Sequence, residues 1–358
     1  MDQGIKKNSF MTIQSMPLVS IGIPVFNVEP FIEKCLISAL DQTYQNIEIL
    51  TIDDCGKDHS MDIVYKLQMN HSRGHQIRVI KHDINKGLGE ARNTSIENAE
   101  GKYLYFLDSD DFIEPNTIEL MVNKAEMYQT DAVLASHQTV DYPNGDIRPG
   151  FIYEGFQIVE GKDAFANFVC KDLRWHVAVT SWNILFSIDF LRKNCLRFSI
   201  RTCEDSLFLS DYYSCVEKAA LLPNITYNYV LREGSLMGYG RKDAIPVWEI
   251  KERFKGDAFM TERSRRLKDR SFYDVHCARV MKHKFRAVCV ALKHRKRFSE
   301  RITYKQIGAD LKHPATLSEI LKFKRYKALN LSAYFLGLLP YSISVRIAYL
   351  AGKKAHWI

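Results

Sequence analysis

Tyr103-Leu-Tyr-Phe-Leu-Asp-Ser-Asp-Asp-Phe112 joins an almost continuous apolar run to a cluster of carboxylates, Asp108, Asp110 and Asp111. A short apolar run without alternation suits a strand buried on both faces, the usual condition of a parallel sheet covered by helices. Comparable strand-length runs stand at Val19–Val25, Ile47–Ile52, Ile77–Lys81 and Ala132–Ser136. Between them, Phe31, Ile32, Cys35, Leu36, Ala39 and Leu40 recur at helical spacing after Pro30, and helices are predicted over Ser60–Met69, Gly89–Ala99 and Asn116–Tyr128. The alternation predicts an α/β fold, with each crossover joining adjacent parallel strands.

Open α/β sheets bind ligands beyond the carboxyl ends of their strands. Carboxylates gather there: Asp53-Asp54 end the second run and Asp108-Ser109-Asp110-Asp111 the fourth, while the first ends in Pro24-Val-Phe26-Asn27. No glycine-rich dinucleotide fingerprint and no P-loop is present, so a phosphate-bearing ligand would be handled otherwise. Aspartates beside a diphosphate repel it unless a divalent cation lies between, and hard oxygen ligands suit Mn²⁺ or Mg²⁺. Asp108 and Asp110 are the metal-site candidates. An acidic turn after a strand is also an ordinary solvated loop; here two such turns end strands of one sheet.

Four blocks, Val19-Ser-Ile-Gly-Ile-Pro-Val-Phe-Asn27, Ile52-Asp-Asp54, Asn85-Lys-Gly-Leu-Gly-Glu-Ala-Arg-Asn93 and Phe106-Leu-Asp-Ser-Asp-Asp-Phe112, resemble in type and order the family 2 inverting glycosyltransferases with the GT-A fold. Ser181-Trp-Asn183, Cys203-Glu-Asp205 and Tyr227-Asn-Tyr-Val-Leu-Arg-Glu-Gly-Ser235 extend the likeness more loosely. The resemblance implies a GT-A-like mixed, mostly parallel sheet flanked by helices, with a basic helical C-terminal extension. It implies a nucleoside pocket lined by Pro24, Phe26, Asn27 and Asp54, with an aspartate accepting from uracil, and Lys86, Gly87 and Arg92 near the phosphates and ribose. Asp53 and Ser109 count with this donor side. Asp205 of the Glu204-Asp205 pair would be the catalytic base, although an acidic pair also suits a helix N-terminus. Arg232 and Ser235 would close on the diphosphate, and Trp182 and Asn183 would meet the acceptor sugar, a packed core being the alternative for Trp182. The family has Tyr where Phe26 stands and Gly-Ser where Cys55-Gly56 stands.

Two regions are expected, a glycosyltransferase domain over residues 17–235 and a basic, mainly helical region over 241–358. The charge divides accordingly, −10 over residues 1–240 and +18 over 241–358. Lys282, Lys284, Arg286, Lys293, Arg295, Lys296 and Arg297 crowd one stretch, and an apolar segment near 334–350 is broken by Pro340 and Arg346. A solvated face, a nucleic-acid surface and a lipid dock all fit this pattern; the dock is favoured, because an interrupted apolar segment suits the interface and no nucleic-acid motif is recognised. Eight cysteines without metal or disulfide spacing, and a first apolar run without a cleavage site, predict a cytoplasmic protein, peripheral on the inner face of the membrane. His59, His82, His137 and His176 lack metal spacing and are read as surface or core residues. The expected reaction is inverting transfer from a nucleotide diphosphate sugar, a UDP-sugar, to a glycan or lipid-linked glycan hydroxyl in cell-surface polysaccharide synthesis. A nucleotidyltransferase and a non-catalytic nucleotide-sugar binder are the alternatives.

Overall fold

The computed structural model describes residues 16–174, 176–199, 204–232 and 244–354. The chain opens with β1 (Val19–Val25), α1 (Ile32–Leu40), β2 (Ile47–Asp53), α2 (Ser60–Asn70), β3 (Ile77–Lys81), α3 (Leu88–Asn98) and β4 (Tyr103–Phe106). Every residue of β1 and of β4 is buried, as their unbroken apolar text requires. There follow β5 (Phe112–Ile113), α4 (Thr117–Tyr128), β6 (Ala132–Asp141), β7 (Asp146–Pro149), β8 (Gln157–Glu160), α5 (Ala164–Val169), β9 (Ile184–Ser187), α6 (Ile188–Lys193), α7 (Glu204–Cys215) and β10 (Lys218–Leu231).

All ten strands form one mixed sheet with the order β3-β2-β1-β4-β9-β6-β10-β5, β7 beside β6 and β8 beside β10. β1 pairs in parallel with both β2 and β4, and β6 with β10; β9 runs antiparallel between β4 and β6. The expectation that each crossover joins neighbours holds for β1–β2–β3 and fails after that. The connection through α3 returns the chain across β1, and the slot beside β4 is filled from far downstream. Strand order therefore reverses at β1, which puts a ligand crevice beyond the carboxyl ends of β1 and β4. At Gly22 in β1 an added Cβ would lie 2.8 Å from Ser95 Oγ, so the missing side chain lets α3 rest directly on the sheet.

β6 outruns its expected length because the turn after Asp141 folds β7 back onto it. β10 is longer still, with register shifts around Pro223-Asn224, where proline offers no N–H to the ladder. Beyond residue 243 stand α8 (Val247–Ser264), α9 (Tyr273–Lys293), α10 (Tyr304–Gly308), α11 (Leu317–Ile320), α12 (Lys327–Leu338) and α13 (Tyr341–Lys354). Apolar side chains cover both faces of the sheet, and the C-terminal helices build a further core around Ile250, Val288, Ile307 and Val345. They pack against α7 through Leu207, Met260 and Val280. Part of the basic stretch is structural: Lys284 is buried and donates to the Lys312 carbonyl, and Lys282 to that of Leu173. The seven described cysteines are free thiols.

Candidate active site

The turn after β4 is built from its own aspartates. Asp111 is buried, accepting from the Tyr227 hydroxyl at 2.6 Å and from the Val230 amide at 2.7 Å, and so pins the turn to β10. Anchored there, the turn leaves Asp108 and Asp110 at its mouth, their side chains 21% and 25% exposed. Arg92 Nη2 donates to Asp108 Oδ1 at 2.7 Å, and Arg232 Nε to Asp110 Oδ2 at 2.8 Å. Ser109 is buried between them.

Arg92 is the hub. It is fully buried in α3, its guanidinium lying over the rings of Phe106 and Phe198. Its Nη1 reaches Glu204 Oε1 at 3.0 Å and Asp205 Oδ1 at 2.8 Å at the start of α7. Burial disfavours the guanidinium charge, but Asp205, Asp108 and Glu204 outweigh it and hold the arginine above its ordinary range. The Ser181 hydroxyl also donates to Asp205. Burial raises Asp205 against the pull of Arg92, and its side chain remains 23% exposed. Glu204 is pushed up to about 7 by burial and then by Asp205.

That shift has a thermodynamic sign. In the folded protein Glu204 retains a proton that the unfolded chain, with its ordinary value of 4.5, has released. Proton uptake favours the folded state between these values, so this carboxyl's contribution to stability is full at low pH and falls as pH rises from about 4.5 to about 7. Glu204→Gln, which carries no titrating proton, is expected to flatten the decline. Melting temperatures of the two proteins across this window decide it; parallel curves would reject the assignment.

Asp54 is tied into the loop ahead of α3. One oxygen accepts from His82 Nδ1 and the Lys86 amide, both at 2.7 Å, and the other from Asn85 Nδ2 at 2.9 Å and the Gly87 amide at 2.8 Å. With four donors bonded to it, this carboxylate holds the loop into α3. Gly87, at φ +89°, makes the turn that lets its amide face Asp54. Asp53 is freer: Oδ1 accepts from the Cys55 amide at 3.0 Å, and Oδ2 has Lys81 at 4.0 Å. Pro24 is buried at the end of β1, Phe26 stands 45% exposed, and Asn27 accepts from the Lys57 amide at 2.7 Å. Lys86 is exposed.

Three further residues are placed as follows. Arg92 lies beneath the carboxylates, its Nη1 and Nη2 taken by Glu204, Asp205 and Asp108 while its buried Nε has no hydrogen-bond partner. Trp182, 5% exposed, stacks on Tyr227 at 4.3 Å and Tyr229 at 5.6 Å and offers no open face to a sugar. Asn183 donates to the Ala135 and Ser136 carbonyls and accepts from the Tyr105 and Thr226 hydroxyls, so its amide is used up within the sheet. Ser235 lies outside the described residues. His82 and Ser181 were missed. Register gave one signal, since Asp53 pairs with Lys81 and the next residues, Asp54 and His82, end adjacent strands at one level.

A divalent cation fits the donor set at the turn. Asp108 and Asp110 offer hard oxygens, and burial together with Asp108 raises Asp110, a repulsion that a cation would relieve. Among the described residues no three ligand-type side chains are placed to hold a metal ion together, so phosphate oxygens and water would complete the shell, as Mg²⁺ commonly requires.

Sequence and fold comparisons find relatives over much of the chain. GlyA, a glycosyltransferase of Streptococcus pneumoniae serotype 4, is 30% identical over 222 residues, covering 61% of this chain and 31% of GlyA. The chondroitin synthase of Escherichia coli is 34% identical over 175 residues, 48% of this chain and 24% of that protein. The chain thus spans less than a third of either relative. TarS 1-349 of S. aureus, solved in complex with UDP-GlcNAc, superposes with a TM-score of 0.67 over 95% of this chain and 92% of its own; at 18% identity the likeness is one of fold. Residues 20–187, which hold nearly all of β1, the strands through β9 and the Asp108–Asp110 turn, match the family described as Glycosyl transferase family 2.

Proposed function

We propose that the protein transfers a sugar, with inversion, from a nucleoside diphosphate sugar of the UDP type to a hydroxyl of a glycan or lipid-linked glycan, in polysaccharide synthesis at the cytoplasmic side of the membrane. The observation that carries this reading is the single guanidinium of Arg92, which bridges Asp108 of the diphosphate-facing turn and Asp205 of α7. A metal-side carboxylate and a partly exposed proton acceptor are thereby fixed next to each other, which an inverting single displacement needs. The relatives add support: one is named a glycosyltransferase, another a chondroitin synthase, and a protein of like fold was solved with UDP-GlcNAc.

The acceptor oxygen would attack the anomeric carbon as the bond to the diphosphate oxygen breaks. Asp205 would take the hydroxyl proton, and the nucleoside diphosphate would leave with the electron pair. Mn²⁺ or Mg²⁺ held by Asp108 and Asp110 would supply Lewis-acid neutralisation of the leaving diphosphate. Arg232, stacked 5.0 Å from the Phe31 ring and bonded to Asp110, would add a second cation there. The exposed face of Phe26 is available for base stacking, and Asp53 rather than Asp54 has an oxygen to accept from uracil.

Released UDP, rather than pyrophosphate, distinguishes this reaction from nucleotidyl transfer. Asp110→Ala is expected to abolish release and to weaken UDP binding in Mn²⁺ by about tenfold or more, since one direct ligand is lost. Excess chelator should act alike on the wild type. Undiminished turnover with all metal removed would reject the Asp108–Asp110 assignment.

A further inference from the structure

The end of the chain carries a surface that the site does not use. α13 turns Ser344, Val345, Ala348 and Gly352 inward, packing on α9 and α10. Its outward stripe, where a surface helix normally carries charge, holds Ile343, Ile347 and Leu350 at 49%, 44% and 65% exposure. α12 repeats the arrangement, with Asn330 and Ala333 buried and Phe335 and Leu338 exposed. Leu339, exposed as well, stands where the two helices meet. No acidic residue follows Glu319, whereas seven basic ones do. Arg325 is paired with Asp274, and Arg346 lies over the Tyr304 ring. Lys322, Lys324 and Lys327 before and at the start of α12, and Lys353 and Lys354 at the end of α13, take no ion pair among the described residues.

We propose that the α12–α13 corner is an interfacial anchor for a bilayer leaflet bearing anionic head groups. The apolar stripes enter the boundary between head groups and acyl chains, and the lysines at either end meet the anionic heads. At 1.5 Å per residue α12 and α13 are about 18 and 21 Å long, too short for a hydrocarbon core of about 30 Å. Among the described residues no helix is long and apolar enough to cross a membrane. A second copy of the chain is the weaker occupant: a self-complementary contact would set the same unpaired lysines against each other with no carboxylate on the strip. The anchor stands on surface chemistry alone, so it fails or survives independently of the sugar-transfer reading.

The test is co-sedimentation of the full chain with vesicles of phosphatidylcholine, alone or mixed with phosphatidylglycerol. Binding is expected to the mixed vesicles only, and to weaken as salt is raised. Replacing Lys322, Lys324 and Lys327 together by Gln should weaken it by about a hundredfold. Ile347→Asp with Leu350→Asp should abolish it; both side chains are exposed, so an unchanged thermal unfolding curve certifies the fold. Equal binding to neutral vesicles, wild-type binding by the double variant, or no binding at low salt would overturn the anchor. A concentration-dependent dimer that the double variant dissociates, without vesicle binding by the wild type, would assign the face to a second copy instead.

Discussion

Asp205→Asn is expected to lower sugar transfer by about 10²–10⁴-fold, the usual worth of a positioned general base. The amide keeps the shape of the side chain and one oxygen for Arg92 and Ser181, but it cannot take the acceptor's proton. UDP-sugar affinity and metal dependence should stay near wild type, because the donor side is assembled from β1, β2 and the turn after β4. Glu204→Gln should cost far less: with its carboxyl pushed up to about 7, Glu204 already carries a proton much of the time near neutral pH, and the amide imitates that form. Single-turnover transfer rates measured beside equilibrium UDP-sugar binding separate these effects. A dead Glu204→Gln beside an active Asp205→Asn would exchange the roles, and two active variants would place the base elsewhere.

Arg92→Met should be the most destabilising single change in the site. Three carboxylates, from the turn after β4 and from the start of α7, share one buried cation, and its loss leaves them desolvated and mutually repelling. Removing one side of a buried ion cluster costs about 3–5 kcal/mol, to be read from urea unfolding. Arg92→Lys should recover only part, because one ammonium cannot span the separate contacts that Nη1 and Nη2 make. A loss under about 1 kcal/mol for Arg92→Met would mean that the carboxylates rearrange freely or take up protons, and the hub would lose its meaning. Transfer should fall with both variants, since Arg92 sets the positions of Asp108 and Asp205 together.

What the amino-acid text made legible follows from how locally each feature is specified. β1 and β4 are buried on both faces, so their apolar character is continuous and visible, and the aspartates at their carboxyl ends fall where sheet topology puts a ligand. β9 is four residues long and is not recognised, and β10 is interrupted at Pro223, so only its aromatic second half, Tyr227–Leu231, reads as a strand. The work of Arg92 is carried by residues 16, 112 and 113 positions away, and no spacing in the sequence records such distances. Trp182 was left between a sugar-facing and a core reading because an aromatic next to polar residues looks the same in a crevice and in a core; only Tyr227 and Tyr229 of β10, stacked on it, tell them apart. His82 was set aside for want of metal spacing, although its partner is a carboxylate one strand away.

The place of β9 in the sheet also governs how the chain is made. β4 finds one neighbour, β1, among residues already synthesised, but its other neighbour begins at Ile184, about 80 residues later. At about 5–20 residues per second on the ribosome, the edge of Tyr103-Leu-Tyr-Phe106 would lack its partner for about 4–16 s. This strand is aromatic-rich and carries neither proline nor charge, the features that otherwise protect an edge from being extended by other chains. Nascent chains stopped before residue 184 would therefore be the aggregation-prone species of this protein, and the seconds before β9 arrives are when a chaperone would have most to cover.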